Sequence, residues 1–269
     1  MSTWSRIRND VVALRRCCGT GLAARWLAQV VLQGRTIIRR GNLLPADQAM
    51  GSGPFVIHHP ATALPFEIIG PGAFSGIREM YARDTYLRRG TLRIHDGDVV
   101  VDLGANMGNF TCLALAHGPR VRVVAVEPSR EMTERFRISV GGNPGFAARA
   151  QLISAFIGGP DKAKFGTSIE DANYAGTLSL SEEDFLVQTG LTHIDFLKCD
   201  IEGAEFGLLS PSSRLLRLAR RIAIEIHAFA GSPQTLIDTI RAEGFELLTV
   251  AWDPDGTCTA LFERQGRQP

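Results

Sequence analysis

Ionisable side chains that follow two predicted buried strands have the types and spacing needed for acid–base chemistry. Asp200 and Glu202 come directly after one strand, and Glu225 and His227 lie at the end of the next. Carboxylates as close as Asp200 and Glu202 repel each other, which raises the pKa of one and makes it a better base near neutral pH. The alternative role, capping the helix that follows, we assign to Glu205.

Glu225 and His227 alternate with isoleucines, so they share one face of a strand whose two faces should both be covered. Burying two polar groups without a use is costly, which makes both candidates for catalysis. His227 could deprotonate an acceptor that Glu225 orients; alternatively, the two form a satisfied hydrogen bond in the core. A metal ion held by Asp200, Glu225 and His227 is a further interpretation, but we predict no metal site.

A glycine-bracketed turn separates a strand from a helix upstream of these residues. The β-branched run 99–103 is typical of a strand covered on both faces, and apolar residues recur at helical spacing after Gly108. Gly104 and Gly108 therefore lie where a strand hands over to a helix. In a doubly wound sheet, this is where the ligand binds.

The next predicted strand ends in Glu127, at about the distance from Asp102 expected for a ribose-binding acid. Three residues separate Gly104 from Gly108, unlike the spacing of the G-x-G-x-x-G that approaches a pyrophosphate. Asp102, just ahead of them, suits a ligand with an ammonium and a sulfonium, so S-adenosylmethionine fits better than NAD. The predicted cofactor contacts are Asp102, Gly104, Ala105, Asn106, Gly108, Glu127, Pro128, Ser154, Ala155 and Asp200.

The same turn has a purely structural interpretation. In it, Gly104 and Gly108 serve packing, Glu127 caps the following helix, and Pro128 is the first helical residue. The strand, the glycines, the second strand and its terminal acid together favour the ligand site.

The order of elements predicts an α/β protein. Three predictions precede the first core strand: a linker over 41–54, two short strands within 55–59 and 64–69, and a helix over 77–88. After Glu127 we predict helices over 130–140, 181–190 and 233–243 and strands over 150–157, 194–199, 220–227, 245–252 and 258–262. Residues 158–180 show little periodicity and are predicted to be an insertion over the cleft that helps to select the acceptor.

Charge and cysteine usage restrict the class of protein. The net charge is only +1, but residues 1–50 carry eight arginines against two aspartates, so the remainder is net acidic. The five cysteines lack metal-ligand spacing, which indicates a reducing cytoplasm without disulfides. Arginines interrupt every apolar run at the N-terminus, so we expect neither a signal peptide nor a membrane span.

The N-terminal segment is predicted to form two amphipathic helices separated at Gly19 to Gly21. One apolar face contains Ile7, Val11 and Leu14; the other contains Leu22, Trp26, Leu27, Val30 and Val31. We expect these helices to pack on the protein's own core with solvated arginines. Peripheral contact of residues 1–40 with the inner face of a membrane is the alternative.

Four stretches resemble the FkbM-type S-adenosylmethionine-dependent methyltransferases. They are Val101-Asp-Leu-Gly-Ala-Asn-Met-Gly-Asn-Phe, Val126-Glu-Pro, Ile194-Asp-Phe-Leu-Lys-Cys-Asp-Ile-Glu-Gly-Ala-Glu and Ile224-Glu-Ile-His, in the family's order. The resemblance covers roughly residues 76–265. It implies a Rossmann-like, doubly wound, seven-stranded sheet, mostly parallel with an antiparallel last strand, and methyl transfer to a hydroxyl oxygen.

The domains we predict are a basic helical extension (1–50), edge strands and a helix leading into the core (51–95) and the methyltransferase domain (96–269). The resemblance favours a hydroxyl on a sugar, glycolipid or secondary metabolite as acceptor. The predicted strands within 55–69 and the insertion at 158–180 have no stripe of aromatic and basic residues, so nucleic acid is not an expected partner. One alternative is an NAD-dependent oxidoreductase, but this sequence lacks the third glycine and the Tyr-x-x-x-Lys relay expected of one. The other alternative is a non-catalytic nucleotide-binding or membrane-docking module.

Overall fold

The structure is a computed structural model that describes residues 3–158 and 172–266. Its strands are β1 (Phe55–Ile57), β2 (Phe66–Ile68), β3 (Val99–Leu103), β4 (Arg122–Val126), β5 (Ala150–Ile153), β6 (Ala155–Ile157), β7 (Leu178–Leu180), β8 (Ile194–Cys199), β9 (Ala219–Ile226), β10 (Phe245–Trp252) and β11 (Cys258–Arg264). Its helices are α1 (Thr3–Leu32), α2 (Gly34–Arg40), α3 (Leu44–Gln48), α4 (Ala73–Ile77), α5 (Asn109–Ala116), α6 (Arg130–Gly141), α7 (Glu182–Thr189), α8 (Glu205–Leu208), α9 (Arg214–Leu218) and α10 (Pro233–Ala242).

A seven-stranded sheet in the order β10-β11-β9-β8-β3-β4-β5 forms the centre of the molecule. Strands β9, β8, β3, β4 and β5 are mutually parallel, and β11 runs antiparallel to both β9 and β10. All five residues of β3 are buried, as expected for a strand covered on both faces. The predicted Rossmann-like α/β fold is confirmed.

The N-terminal helix packs on the same core as the sheet. Leu14 and Trp26 are fully buried, in one apolar cluster with Val100 of β3. The expected break occurs inside α1 at Gly19, whose φ of 84° is non-helical. Val31, on the predicted second face, is instead largely exposed.

Three local predictions were wrong in detail. The 41–54 linker contains α3, which Pro45 helps to start. The helix predicted over 77–88 is only α4 followed by one π-helical turn (Arg78–Ala82) and a 3-10 turn (Arg88–Gly90). The strand predicted over 150–157 is divided at Ser154 into β5 and β6. Strand β5 pairs with β4 only as far as the end of β4 at Val126, and β6 pairs with β7 in a separate sheet.

Residues 159–171 of the predicted insertion lie outside the described residues. Its last part forms β7, which pairs in parallel with β6. Across the described residues, no helix combines the length and the apolar character that crossing a membrane requires.

The predicted pair of short strands is an antiparallel hairpin of β1 and β2. The side chain of Asn143, just after α6, binds its outer edge: Oδ1 accepts from the Glu67 amide at 2.7 Å, and Nδ2 donates to the Glu67 carbonyl at 2.9 Å. Asn143 therefore attaches the hairpin to the sheet domain through both backbone groups of one residue.

A buried ionic cluster fastens the N-terminal helices to the rest. Arg78 donates to Asp10 of α1 at 2.9 Å and to Asp47 of α3 at 2.6 Å, and Trp26 Nε1 donates to Asp47 at 2.8 Å. Removing one member of a buried pair leaves the other charge uncompensated, which costs far more than losing an exposed pair.

We therefore expect Asp47→Ala to lower the free energy of unfolding by about 3 kcal/mol. The control is Asp238→Ala, which removes an exposed ion pair with Arg241 and should cost under about 1 kcal/mol. Urea denaturation monitored by circular dichroism measures both. Equal losses in the two variants would show that the cluster does not fasten the helices.

Candidate functional site

The glycine turn is forced into close contact with the end of the neighbouring strand. Gly104 has a φ of 75°, and a Cβ there would lie 1.7 Å from the carbonyl oxygen of Asp200. Only glycine fits such an approach. Strands β3 and β8 pair in parallel, so their carboxyl ends lie side by side. The glycine turn after β3 therefore lies against the residues that follow β8.

A cavity of about 460 Å³, here called the loop cavity, opens between this turn and the end of β8. Of the predicted cofactor contacts, its lining includes Gly104, Asn106, Glu127, Pro128, Ala155 and Asp200. Phe156 and Tyr174, whose ring centroids lie 5.6 Å apart, form an aromatic wall. The volume and this wall suit a nucleoside with a flat base. Four predicted contacts do not line it: Asp102, Ala105, Gly108 and Ser154.

Glu127 lies at the wall of the loop cavity. Its Oε2 accepts from the Asn106 amide and its Oε1 from the Ser129 amide, both at 2.8 Å. Burial raises the pKa of Glu127, although these two hydrogen bonds oppose the shift. Ser129, rather than Glu127, caps α6, because its side chain accepts from the Met132 amide. The capping interpretation of Glu127 is therefore wrong, and Pro128 precedes the cap.

Asp102 does not face the loop cavity. It is fully buried, accepts from the Thr111 hydroxyl at 2.7 Å and lies 3.3 Å from Lys198 Nζ. Lys198 also donates to the Gly104 carbonyl at 2.6 Å. Burial lowers the pKa of Lys198, but the charges of Asp102 and Asp200 outweigh it, so the pKa is raised. Asp102 therefore lies below the turn and does not line the loop cavity, although it is a predicted cofactor contact.

His227 is held by the buried carboxylate of Glu205. Its Nδ1 lies 3.1 Å from Glu205 Oε1, and its Nε2 lies 3.9 Å from Asp200 and 3.5 Å from Glu202. Burial lowers the pKa of His227, but the hydrogen bond to Glu205 and the three nearby carboxylates raise it to about 9. The three carboxylates therefore favour the protonated form of His227, whose Nε2 faces Asp200 and Glu202.

The capping predicted for Glu205 is wrong, because the N-cap of α8 is Ala204 and no side chain caps this helix. Glu205 instead accepts from the amide of Gly203, two residues before α8, at 2.7 Å, and from the amide and ring of His227. Its side chain is fully buried. The core pairing considered for Glu225 and His227 is thus made by Glu205 and His227.

Glu225 lies on the far side of a buried tyrosine. The Tyr86 hydroxyl lies 3.0 Å from Asp200 Oδ2, to which it donates, and 3.4 Å from Glu225 Oε2. Burial and the charge of Asp200 raise the pKa of Glu225 to about 7. Glu225 lines a second space of about 450 Å³, the polar cavity, together with Arg88 and Thr259.

The carboxylates form a group whose composition differs from the predicted one. Among the described residues, Asp200, Glu202 and His227 present ligand atoms that all lie within 4.8 Å of one another. Partial burial and the neighbouring Asp200 raise the pKa of Glu202, so the expected repulsion is present. Glu225, included in the metal interpretation of the sequence, is not a member of this group.

Three residues of the site were missed from the sequence. Lys198 carried a signal, because an ionisable side chain stood within an apolar strand pattern. Glu205 carried a partial one, since it was singled out from the sequence, but for a capping role that it does not have. Tyr86 had none: it lies in a turn before the first core strand and reaches the site only through the tertiary fold.

Comparison with known proteins finds a family and relatives that this chain resembles in sequence. The family model described as the methyltransferase FkbM domain matches residues 102–247, more than half of the chain. A similar protein is the AMB antimetabolite synthetase AmbE of Pseudomonas aeruginosa, 26% identical over 63% of this chain but only 10% of its own length. Another is the 31-O-demethyl-FK506 methyltransferase FkbM of Streptomyces tacrolimicus, 28% identical over 64% of this chain and 81% of its own.

The solved structures that resemble this chain have a lower sequence identity to it. Aeropyrum pernix fibrillarin with bound S-adenosyl-L-methionine shares 16% identity, with a TM-score of 0.43 over 66% of this chain and 73% of its own. The precorrin-6y C5,15-methyltransferase of Geobacter metallireducens shares 14%, with a TM-score of 0.46 over 69% and 87%. With both TM-scores below 0.5, neither bears on the acceptor or the mechanism.

Glu127→Ala should weaken binding of S-adenosylhomocysteine about ten- to a hundredfold, because hydrogen bonds to a charged group contribute roughly 1.5 to 3 kcal/mol. Calorimetric titration measures this affinity. Glu131→Ala, an exposed acid on α6, is the control and should leave it unchanged. A protein that binds NADH and not S-adenosylmethionine would contradict the assignment.

Proposed function

The chain belongs to the FkbM family of methyltransferases, and from this premise we propose that it transfers the methyl group of S-adenosylmethionine to a hydroxyl oxygen of a sugar, glycolipid or secondary metabolite. The observation that carries the proposal is the placement of Glu225. Glu225, whose pKa is raised to about 7, lines the polar cavity and lies across the Tyr86 hydroxyl from Asp200, which lines the loop cavity. A neutral hydroxyl needs such a base, since it loses its proton as it is methylated.

The loop cavity is where this chain would hold the cofactor. Glu127 would bind the ribose hydroxyls, the wall of Phe156 and Tyr174 would contact the adenine, and Asp200 would face the cationic end. When bound, S-adenosylmethionine supplies a methyl group whose bond to sulfur breaks, leaving the electron pair on sulfur, as the bond to the acceptor oxygen forms. The protein's main task is then to position the acceptor, which can contribute roughly 7 to 11 kcal/mol.

Glu225 is the proton acceptor that we propose. At neutral pH it is substantially ionised and faces the polar cavity, so it can take the hydroxyl proton. The pKa of His227, the alternative base, is raised to about 9 by Glu205, Asp200 and Glu202, which favours the protonated form and makes it the weaker candidate. Its positive charge instead balances Asp200 and Glu202. Tyr86 fixes the side chains of Asp200 and Glu225 relative to each other.

The choice of oxygen as the methylated atom has support from a relative. The Streptomyces tacrolimicus protein is, by its name, an O-methyltransferase of a secondary metabolite, and it matches this chain over 214 residues. A near-neutral charge balance also disfavours nucleic acid, which requires a strongly basic face. The chain spans only a tenth of AmbE, so the activity of that whole protein is not transferred.

The pH dependence of kcat/KM tests the base. Because the ionised form of Glu225 is the active one, kcat/KM should rise with pH and level off above about 7. Glu225→Gln should lower turnover by at least about 10²-fold and abolish that rise, whereas Glu246→Gln, an exposed acid on β10, should leave both unchanged. Persistence of the rise in Glu225→Gln, with its loss in His227→Gln, would make His227 the base.

Asp200→Asn and His227→Ala should each lower turnover by at least about 10²-fold while S-adenosylhomocysteine affinity stays within a few-fold. Both remove charges beside the reacting groups without altering Glu127. Label transfer from S-adenosylmethionine measures turnover, and calorimetry with a thermal melt controls for binding and folding. Full activity in both variants, with label in RNA or in protein nitrogen, would refute the proposed acceptor and site.

A further inference from the structure

The two carboxylates that the proposed function uses face different cavities. Asp200 lines the loop cavity and Glu225 lines the polar cavity, and neither of them lines the cavity of the other. The reacting hydroxyl must lie in line with the methyl group, at the cationic end of the cofactor, where the proposed function places Asp200. A proton taken from that hydroxyl therefore has to cross the wall between the cavities before Glu225 holds it.

The side chain of Tyr86 forms the wall at this point. It is 1% exposed and lines neither cavity. Its hydroxyl donates to Asp200 Oδ2 at 3.0 Å and lies 3.4 Å from Glu225 Oε2. Because a hydroxyl has a single hydrogen atom, it cannot donate fully to both carboxylates at once. A turn about the C–O bond redirects that hydrogen from Asp200 to Glu225.

The ring of Tyr86 is held in place while its hydroxyl hydrogen is able to turn. Phe110 of α5 packs edge-on against the ring, with the centroids 5.6 Å apart, and Lys198 Nζ lies 5.5 Å from the ring centroid. Burial raises the pKa of Tyr86 well above its ordinary value, and the charges of Asp200 and Glu225 add to the shift. Tyr86 therefore does not keep a negative charge, and it passes on a proton only by receiving one at the same time.

We propose that the hydroxyl of Tyr86 relays the proton of the reaction from Asp200 to Glu225. As the acceptor oxygen bonds to the methyl group, its O–H bond breaks, the electron pair stays on that oxygen and the proton goes to Asp200. Asp200 passes the proton to the Tyr86 oxygen while the hydrogen of Tyr86 goes to Glu225 Oε2. Asp200 and Tyr86 then have their original protonation, and Glu225 is neutral. The relay rests on the proposed hydroxyl transfer and keeps Glu225 as the final proton acceptor.

The polar cavity gives this proton a way out to water. Glu225 is only partly buried there, beside polar side chains such as Arg88 and Thr259. Burial and the charge of Asp200 raise the pKa of Glu225 to about 7, so the acid releases its proton to water near neutral pH. In a loop cavity filled by cofactor and acceptor, Asp200 lacks such water.

Charged groups on the elements packed against Glu225 act on its protonation. On the side of the site they are Asp200, His227, Glu79 and Lys198. Across the polar cavity they are Arg6, Asp10, Arg83, Arg88 and Asp253. All of these groups remain in a variant that lacks only the Tyr86 hydroxyl, so a change in its pH dependence reports the loss of the relay.

Tyr86→Phe removes the hydroxyl and keeps the ring. With labelled S-adenosylmethionine and the host-extract fraction that accepts label, kcat/KM should fall at least about 10²-fold and lose its rise with pH, although Glu225 is present. The affinity for S-adenosylhomocysteine should be unchanged. Tyr81→Phe is the matched control, because it removes an equally buried hydroxyl that donates to the Asn109 carbonyl at 2.8 Å, and it should keep both the rate and the rise.

The double variant of Tyr86→Phe and Glu225→Gln tests whether the two residues serve one step. If they pass on the same proton, the second substitution removes nothing more, so kcat/KM of the double variant should equal that of the slower single variant. Losses that multiply would show that Tyr86 and Glu225 act independently and would overturn the inference.

Solvent deuterium tests the relay in the unaltered chain and separates it from a merely structural role of Tyr86. In the relay several hydrogen atoms move together, so the single-turnover rate should fall non-linearly as D₂O replaces H₂O. Tyr86→Phe should make this dependence linear or remove it. A linear dependence in the unaltered chain would overturn the inference, whatever the variants do.

Two outcomes separate the relay from the proposed function. Full rate and an unchanged pH rise in Tyr86→Phe, with loss of both in Glu225→Gln, would show that Glu225 takes the proton directly, which refutes the relay and leaves the proposed function standing. Label in RNA or in protein nitrogen would refute both. Loss of the pH rise in His227→Gln, with its persistence in Tyr86→Phe, would route the proton from Asp200 to His227, 3.9 Å away, and would also overturn the relay.

Discussion

The ammonium group of Lys198 is the charge on which the site depends. It is fully buried, and it interacts with Asp102 at 3.3 Å, with Asp200 at 3.7 Å and with the carbonyl of Gly104 at 2.6 Å. It also lies 5.5 Å from the ring centroid of Tyr86. A buried cation is tolerated only when such partners compensate its desolvation. Lys198 therefore fixes the glycine turn, the end of β8 and the tyrosine in one arrangement.

That arrangement explains why so many acids can gather in one place. Around Lys198 and His227 lie the carboxylates of Asp200, Glu202 and Glu225, with further acids beneath them. The two cations are fully or largely buried, whereas the acids at the cavities retain partial contact with water. The result is an acidic pocket in which the pKa of Glu225 is raised to about 7. An acidic environment also favours a cationic methyl donor.

The features that could be predicted from the sequence are those that the pattern of neighbouring residues determines. The buried strand 99–103, the glycine turn, Glu127 and the acids after β8 follow from apolar runs and punctuation in neighbouring residues. The contacts of Tyr86 and the division of the strand at Ser154 could not be predicted in this way, because they depend on residues far apart in the chain. The roles of individual residues at the site, and the acceptor itself, stay predictions.

The clamp of Asn143 on the hairpin has a consequence for self-association. An unpaired strand edge is a template on which another molecule can add a strand, and proteins commonly block such edges. On β2, the amide group of Asn143 already satisfies both the donor and the acceptor that Glu67 turns outward. One side chain thus takes the position of a neighbouring strand at Glu67 and occupies the hydrogen-bonding groups that an added strand would need there.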